Sequence, residues 1–590
     1  MKSLYGVLGG ALLFVACNSD STVSPPNGNP DPVLSDLSTM NVGDVRVLTF
    51  SAASGGLNIP ASLQSAQYAV ILGNMNLSAG TIATSNVHGD WMAPAGQSAA
   101  GDILAPASVS FDAPAARSLG QTFEASLRLF ERTRLPLPGG HAAVGFNVSA
   151  SRNVPVPSAA TNPPPVGTTI PFKVLTSAGF SGVTTSACSA TGYTQTSGVV
   201  QYVSQHAIIV SDVTSPSGGF TAADFQAIGT EFDNLIYPTD SAYFGKPTDI
   251  DNNGHIFIYY TPSVNKLTPA GQANTSGYVG GFFFAGDLYP PTAQGCLSSN
   301  QGEIFYLLAP DPSGSLGNSF SASFVRQVTR GTVAHEFQHM INSGNRYISP
   351  VVQPFEATWL DEGLAHFAED AVGRAEAGFA DNRTVTYTDI NALDPSIANA
   401  FFVQNFARTK YYVERPDTTA AIVNHTKAAA NLASRGAEWA LVRYAADWFN
   451  SGGNPRTLTR ALAAGPDTGT VNLAKSTDVP LDTVLARYLV TLYTDHRAFM
   501  PTSSPYNYKS YTLRQLVTGT LIGSETTTSY LPVGAIGNGS TTLIARVPAS
   551  SAAYFLTSLT TGGARSVKIT DSNGNVSADA NGRVYVVRTQ

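Results

Sequence analysis

The stretch from Ser321 to Asn342 contains no proline and a single glycine, Gly331, and it carries two histidines four positions apart, His335 and His339. Such a run is expected to be helical, with Gly344 as its C-terminal cap. Four residues of helix turn through about 400° and rise about 6 Å, so both imidazoles project from one face and can grip one metal ion. Glu336 stands beside the first of them in His335-Glu336-Phe337-Gln338-His339. Its carboxylate faces the same cleft and can accept a proton from a metal-activated water instead of binding the metal.

A zinc ion held by two histidines needs a third protein ligand if one position is to stay open. Trp359-Leu-Asp-Glu-Gly-Leu-Ala-His-Phe-Ala-Glu-Asp370 follows, within a helix expected over Thr358 to Ala371. Glu362, in its first turns, is placed to complete a His₂Glu set. Asp361 points about 100° away from it, whereas His366 and Glu369 share its face at plus four and plus seven. Those two suit hydrogen bonding to a ligand imidazole, and His366 is the alternative third ligand.

A chain of 590 residues exceeds one hydrophobic core. Hydrophobic residues make up 43% and charged ones 12%, with 54 glycines and 36 prolines, which marks a globular, loop-rich and β-rich protein and excludes a disordered one. The net charge of −7 is small and no Lys/Arg run is present, so a nucleic-acid partner has no electrostatic support.

Residues 1–17 read as an export signal: Lys2, then an apolar run from Leu4 to Ala16, then Cys17. The run is too short for a permanent membrane span. It resembles a bacterial lipoprotein signal, with Phe14 where leucine is usual, and that resemblance makes Cys17 the lipid-bearing residue and the only link to a membrane. Ordinary secretion is the alternative. Cys188 and Cys296 are the two other cysteines, and outside the cytoplasm a lone pair is expected to form a disulfide.

Residues 18–32 form a polar, Pro-rich spacer. From 33 to 152, runs such as Gln67-Tyr-Ala-Val-Ile-Leu72 predict a β-rich N-terminal domain, with one helix over Thr122 to Arg134. A Pro-rich linker spans 153–169. Between Thr221 and Leu235, a capping Thr221/Asp224 pair precedes Phe225, Ile228 and Phe232 at helical spacing. Strands are expected over Val199 to Val213, His255 to Tyr260 and Glu303 to Leu308, and further helices over Gly436 to Phe449 and Leu481 to Thr494. Past Pro501 the helical signal stops, and Asn-Gly turns between strand-like runs predict a β-sandwich-like C-terminal domain over 501–590.

His-Glu-Phe-Gln-His-Met-Ile followed by Trp-Leu-Asp-Glu-Gly-Leu-Ala resembles the gluzincin metallopeptidases, most closely the hyicolysin family of bacterial secreted neutral proteases. Phe244 to Asp251, Val264-Asn265 and the strand from Glu303 add to the likeness, which covers roughly Gln201 to Phe449. It implies zinc on His335, His339 and Glu362, Glu336 as the base, and protein or peptide substrates. The expected architecture is multidomain α+β: the resemblance implies a zincin-like metallopeptidase domain, set over 170–500, and the strand patterns on either side, which the resemblance does not cover, predict the flanking β-rich, sandwich-like modules. Related enzymes use a downstream His or Tyr to stabilise the oxyanion, for which His425 and Tyr444 are candidates by position. Gly73-Asn-Met-Asn76 does not match the amine-holding segment of the aminopeptidases, so endopeptidase action is preferred. A degenerate surface binding protein and a zinc hydrolase of non-peptide substrates are the rival readings.

Two weaker signals remain. Asp249, Asp251 and Asn253, followed by Gly254, have the spacing of the first half of a calcium loop, with an Asx-rich turn as the alternative. Phe282 to Phe284 fit either a mobile substrate wall or a buried strand.

Overall fold

Strand β3 (Ala66–Asn74) is apolar on both of its faces because both are covered. The computed structural model describes residues 37–49, 57–78, 82–92, 119–139, 163–176, 186–422, 432–518, 530–536, 543–571, 573, 575 and 581–590. The N-terminal strands are β1 (Val45–Thr49), β2 (Leu57–Ile59), β3 and β4 (Ile82–Met92), and the central ones are β5 (Thr169–Leu175), β6 (Tyr193–Val203), β7 (Ala207–Asp212), β8 (Ile256–Thr261), β9 (Gly281–Phe283) and β10 (Ile304–Leu308). The C-terminal strands are β11 (Val533–Ala535), β12 (Leu543–Pro548), β13 (Ser551–Leu559), β14 (Ala564–Thr570) and β15 (Gly582–Arg588).

The two ends of the chain interleave. One sheet has the order β1-β15-β3-β13-β11 and the other β12-β4-β14-β2. Among the described residues every ladder of an N-terminal strand is made with a C-terminal one, as where Ile71 faces Tyr585 on one side and Tyr554 on the other. The two β modules expected from the sequence instead share their sheets, and among the described residues only β11 and β13 pair within one end. Tyr68, Val70 and Leu72 share a core with Val547, Val567 and Ile569 of the second sheet. Ala69 and Ile71 face the other way, into the core of the helical body.

A six-stranded sheet of order β5-β6-β7-β8-β10-β9 forms the middle of the chain. β7, β8 and β10 are parallel, and β8 and β10 are buried along their whole length. Covered parallel strands read as continuous Ile/Phe/Tyr/Leu runs for this reason. β9 runs antiparallel along β10 at the edge, and Phe282, Phe283 and Phe284 are all buried. That is the buried-strand alternative for these phenylalanines.

We label the helices that bear on the site α1 (Leu119–Arg134), α2 (Ala222–Glu231), α3 (Ala322–Ile348), α4 (Thr358–Glu376), α5 (Leu432–Trp448) and α6 (Leu481–Thr494). α2 opens with the expected Thr221/Asp224 capping box. α3 starts at its cap Ser321, but it runs through Gly344 to Ile348, so that glycine is not a cap. A Cβ on Gly344 would lie 2.9 Å from Thr248 Cγ2, and one on Gly331 would lie 2.3 Å from Ala400 O. Both glycines let neighbouring chain press onto α3. Phe337 packs α3 on β10 through Phe305 at 6.1 Å and on the helical segment after α2 through Phe232 at 5.5 Å. Past Pro501 the chain still follows the helical body: Tyr511 hydrogen-bonds Asp370, Ser510 bonds Asp447, and Leu513–Thr518 is helical. Cys188 and Cys296 form a disulfide. Among the described residues no helix is long and apolar enough to cross a membrane.

Candidate metal centre

α3 and α4 bring four buried side chains to one point. His335 and His339 present their Nε2 atoms to each other at 3.2 Å. Glu362 Oε2 lies 3.4 Å from the first and 4.0 Å from the second. Glu336 lines the same cleft, where its Oε2 accepts hydrogen bonds from Phe283 N at 2.9 Å and Arg128 Nη2 at 3.2 Å.

The outer edges of both imidazoles are held. Glu369 Oε1 lies 2.8 Å from His335 Nδ1 and 2.8 Å from His366 Nδ1. Asp361 Oδ2 lies 3.0 Å from His339 Nδ1, in contact with the ring though off the angle of a hydrogen bond. Asp361 was expected to point away from the centre. Its carboxylate instead reaches the far edge of His339 while Glu362 serves the near edge, so adjacent positions of α4 address one ring from two sides.

Electrostatics follow burial. Burial holds the His339 imidazole well below its usual range, so it is neutral, the form in which it can ligate a metal. Burial likewise pushes His366 down to about 3 against the pull of Glu369. Glu369 is held below the usual carboxylate range: burial raises it, but His366, His335 and Arg408 together prevail. Burial, followed by the charge of Glu124, pushes Glu336 up to about 8, against His335 and Arg128. A carboxyl that exchanges its proton near neutrality suits a general base.

The residues fit a zinc ion. Two imidazole nitrogens and a carboxylate converge, and Glu362 Oε1 is buried with no hydrogen-bond partner in the protein. Two His and one Glu form a borderline donor set of the kind zinc takes. A cleft of about 360 Å³ opens beside them, lined in part by Tyr278, Gly280, Thr332, Asn399 and Gln404.

Other expected residues lie elsewhere. Tyr444 is buried and donates its hydroxyl to Pro505 O at 2.6 Å, so it is not brought to the cleft. His425 and Cys17 lie outside the described residues. Asn253 is spent on its own turn: its N and Nδ2 donate to Asp249 and Asp251, and its Oδ1 accepts from His255 N. The third carboxylate beside Asp249 and Asp251 is Glu303, with the three groups' oxygens within 4.8 Å of one another.

Four charged residues of the centre lie outside the sequence expectation. Arg435 Nη1 is 3.0 Å from Glu362 Oε2, Arg408 Nη1 is 3.1 Å from His366 Nδ1, and Arg128 and Glu124 come from α1. One signal for the last pair is visible: Glu124, Arg128 and Glu131 fall at helical spacing beside Phe123, Leu127 and Phe130.

No family model matches the chain. It is 32% identical over 142 residues to the neutral metalloprotease ShpI of Staphylococcus hyicus, a match that covers 24% of this chain and 29% of that protein. The matched stretch is thus less than a third of the relative's length. The likeness supports a metallopeptidase.

Proposed function

We propose that the chain is an exported zinc endopeptidase of the hyicolysin-like gluzincin type, with His335, His339 and Glu362 as ligands and Glu336 as the general base. The observation that carries this reading is the convergence of three donor atoms, one of them on a carboxylate whose second oxygen is buried and unpartnered, beside a carboxyl poised near neutrality. Bound zinc would supply Lewis acidity toward water and toward a peptide carbonyl.

The rest is done by the chain. Asp361 and Glu369 orient the two imidazoles from their outer edges. Phe283 N holds the Glu336 carboxylate, which accepts the proton of the attacking water and returns it to the leaving amine. Export rests on the N-terminal run that ends at Cys17.

Elemental analysis and casein hydrolysis test the proposal together. Glu336→Gln is expected to keep its zinc and lose about 10²–10⁴ in rate, and Glu362→Ala is expected to lose zinc. Equal hydrolysis by wild type and Glu336→Gln would sink the catalytic role. Retention of both zinc and activity in Glu362→Ala would make His366 the next ligand to test.

A further inference from the structure

Helix α1 lies across the metal centre. Its Gly120, Gln121 and Glu124 line the cleft beside His335, Glu336 and Glu362. A carboxylate oxygen of Glu124 lies within 4.8 Å of the ligand atoms of His335, His339 and Glu362. Glu124 Oε1 is buried with no partner in the protein, while Oε2 accepts from Arg128 Nη2 at 3.2 Å. Glu124 thus keeps one buried carboxylate oxygen free of protein hydrogen bonds beside three metal donors, while Arg128 takes the other.

The same helix occupies the edge of the central sheet. Arg128 donates to Phe283 O at 3.2 Å, Glu131 Oε1 accepts from Ala285 N at 2.8 Å, and Phe123 packs on Phe282 at 5.2 Å. Unpaired main-chain groups of an edge strand are where an extended peptide can add, and here α1 takes them. Arg128 also holds the Glu336 carboxylate and is itself clamped by Glu131 at 2.7 Å. One helix therefore lies over the candidate ligands, Glu336 and the sheet edge at once. Neither sheet of the sandwich uses α1 as a strand, so it can leave the cleft without unpairing β3 or β4.

Catalytic zinc keeps one position open, whereas a fourth protein ligand closes the site. We infer that Glu124 is a fourth protein ligand of the metal and that α1 holds the chain in a latent state, which ends when the helix leaves the cleft. This inference rests on the metal reading above.

The test uses the full-length chain loaded with Co²⁺, as wild type, Glu124→Ala and Glu124→Gln. Cobalt content, the visible d–d spectrum and hydrolysis of a quenched peptide are measured on each. The expected result is one cobalt per chain throughout, a changed spectrum in both variants, and hydrolysis about tenfold faster or more as the competent population rises. Superimposable spectra at equal cobalt content would overturn the ligand role and leave the metal reading standing. A changed spectrum without faster hydrolysis would overturn latency. Absence of cobalt from wild type and variants alike would overturn the metal reading itself. Should the variants unfold, water-proton relaxation on cobalt-loaded wild type decides alone: an exchangeable water on the metal contradicts the proposal, and none supports it.

Discussion

Asp361 Oδ2 lies 3.0 Å from His339 Nδ1, on the ring edge opposite the nitrogen that faces His335. The carboxylate is fixed in turn, since Asn342 Nδ2 donates to Asp361 Oδ1 at 2.9 Å and Arg346 Nε donates to Asn342 Oδ1 at 3.0 Å. A relay along α3 thus orients a ligand that α3 itself carries. Asp361→Ala is expected to weaken zinc binding by about 10–100-fold, the usual cost of losing such an orienting group. Chelator competition measures this, and an unchanged affinity would remove Asp361 from the centre's machinery.

The parts of this centre that could be read in the sequence are those whose partners lie within a few residues or one helix away. His335 and His339 are four apart, and Glu362 follows in the next long helix, so helical geometry alone aligns them. Arg128 reaches Glu336 across 208 positions, and no local period encodes such a contact. Asp361 was misplaced because a single-face rule treats the two histidines as one target, whereas they are approached from different sides. The interleaved sandwich had the same difficulty: the run from Gln67 to Leu72 read as a strand, but nothing in it named β13 and β15 as neighbours.

Asp249, Asp251 and Glu303 form an acidic group outside the candidate metal centre. Burial, followed by the charge of Glu303, pushes Asp251 up to about 8, and burial pushes Glu303 to about 7, so the group gains from a cation as well as from protons. Calcium, a hard ion that takes oxygen ligands, is expected to raise the thermal stability, by about 2.7 kcal/mol at a hundredfold excess over its dissociation constant. Glu303→Gln should abolish the increment and leave the zinc content unchanged. A melting temperature indifferent to calcium in the wild type would favour a plain Asx turn.

Asp287 supplies a pH dependence that is independent of any metal. It is fully buried, its Oδ1 accepts from Asn300 N at 2.7 Å and its Oδ2 from the Tyr306 hydroxyl at 2.7 Å. Burial outweighs these bonds and pushes its carboxyl up to about 7. The folded chain therefore keeps a proton that the unfolded chain gives up near pH 3.8. Its contribution to stability is complete below that value and is lost as pH rises toward 7, by about 4 kcal/mol at most. Asp287→Asn cannot titrate, and its amide can still meet Asn300 N and the Tyr306 hydroxyl oxygen. Urea unfolding of both proteins across this interval should show the wild type losing stability relative to the variant as pH rises. Parallel curves would mean that Asp287 is already ionised in the folded protein, with its charge balanced by Asn300, Tyr306 and Lys173.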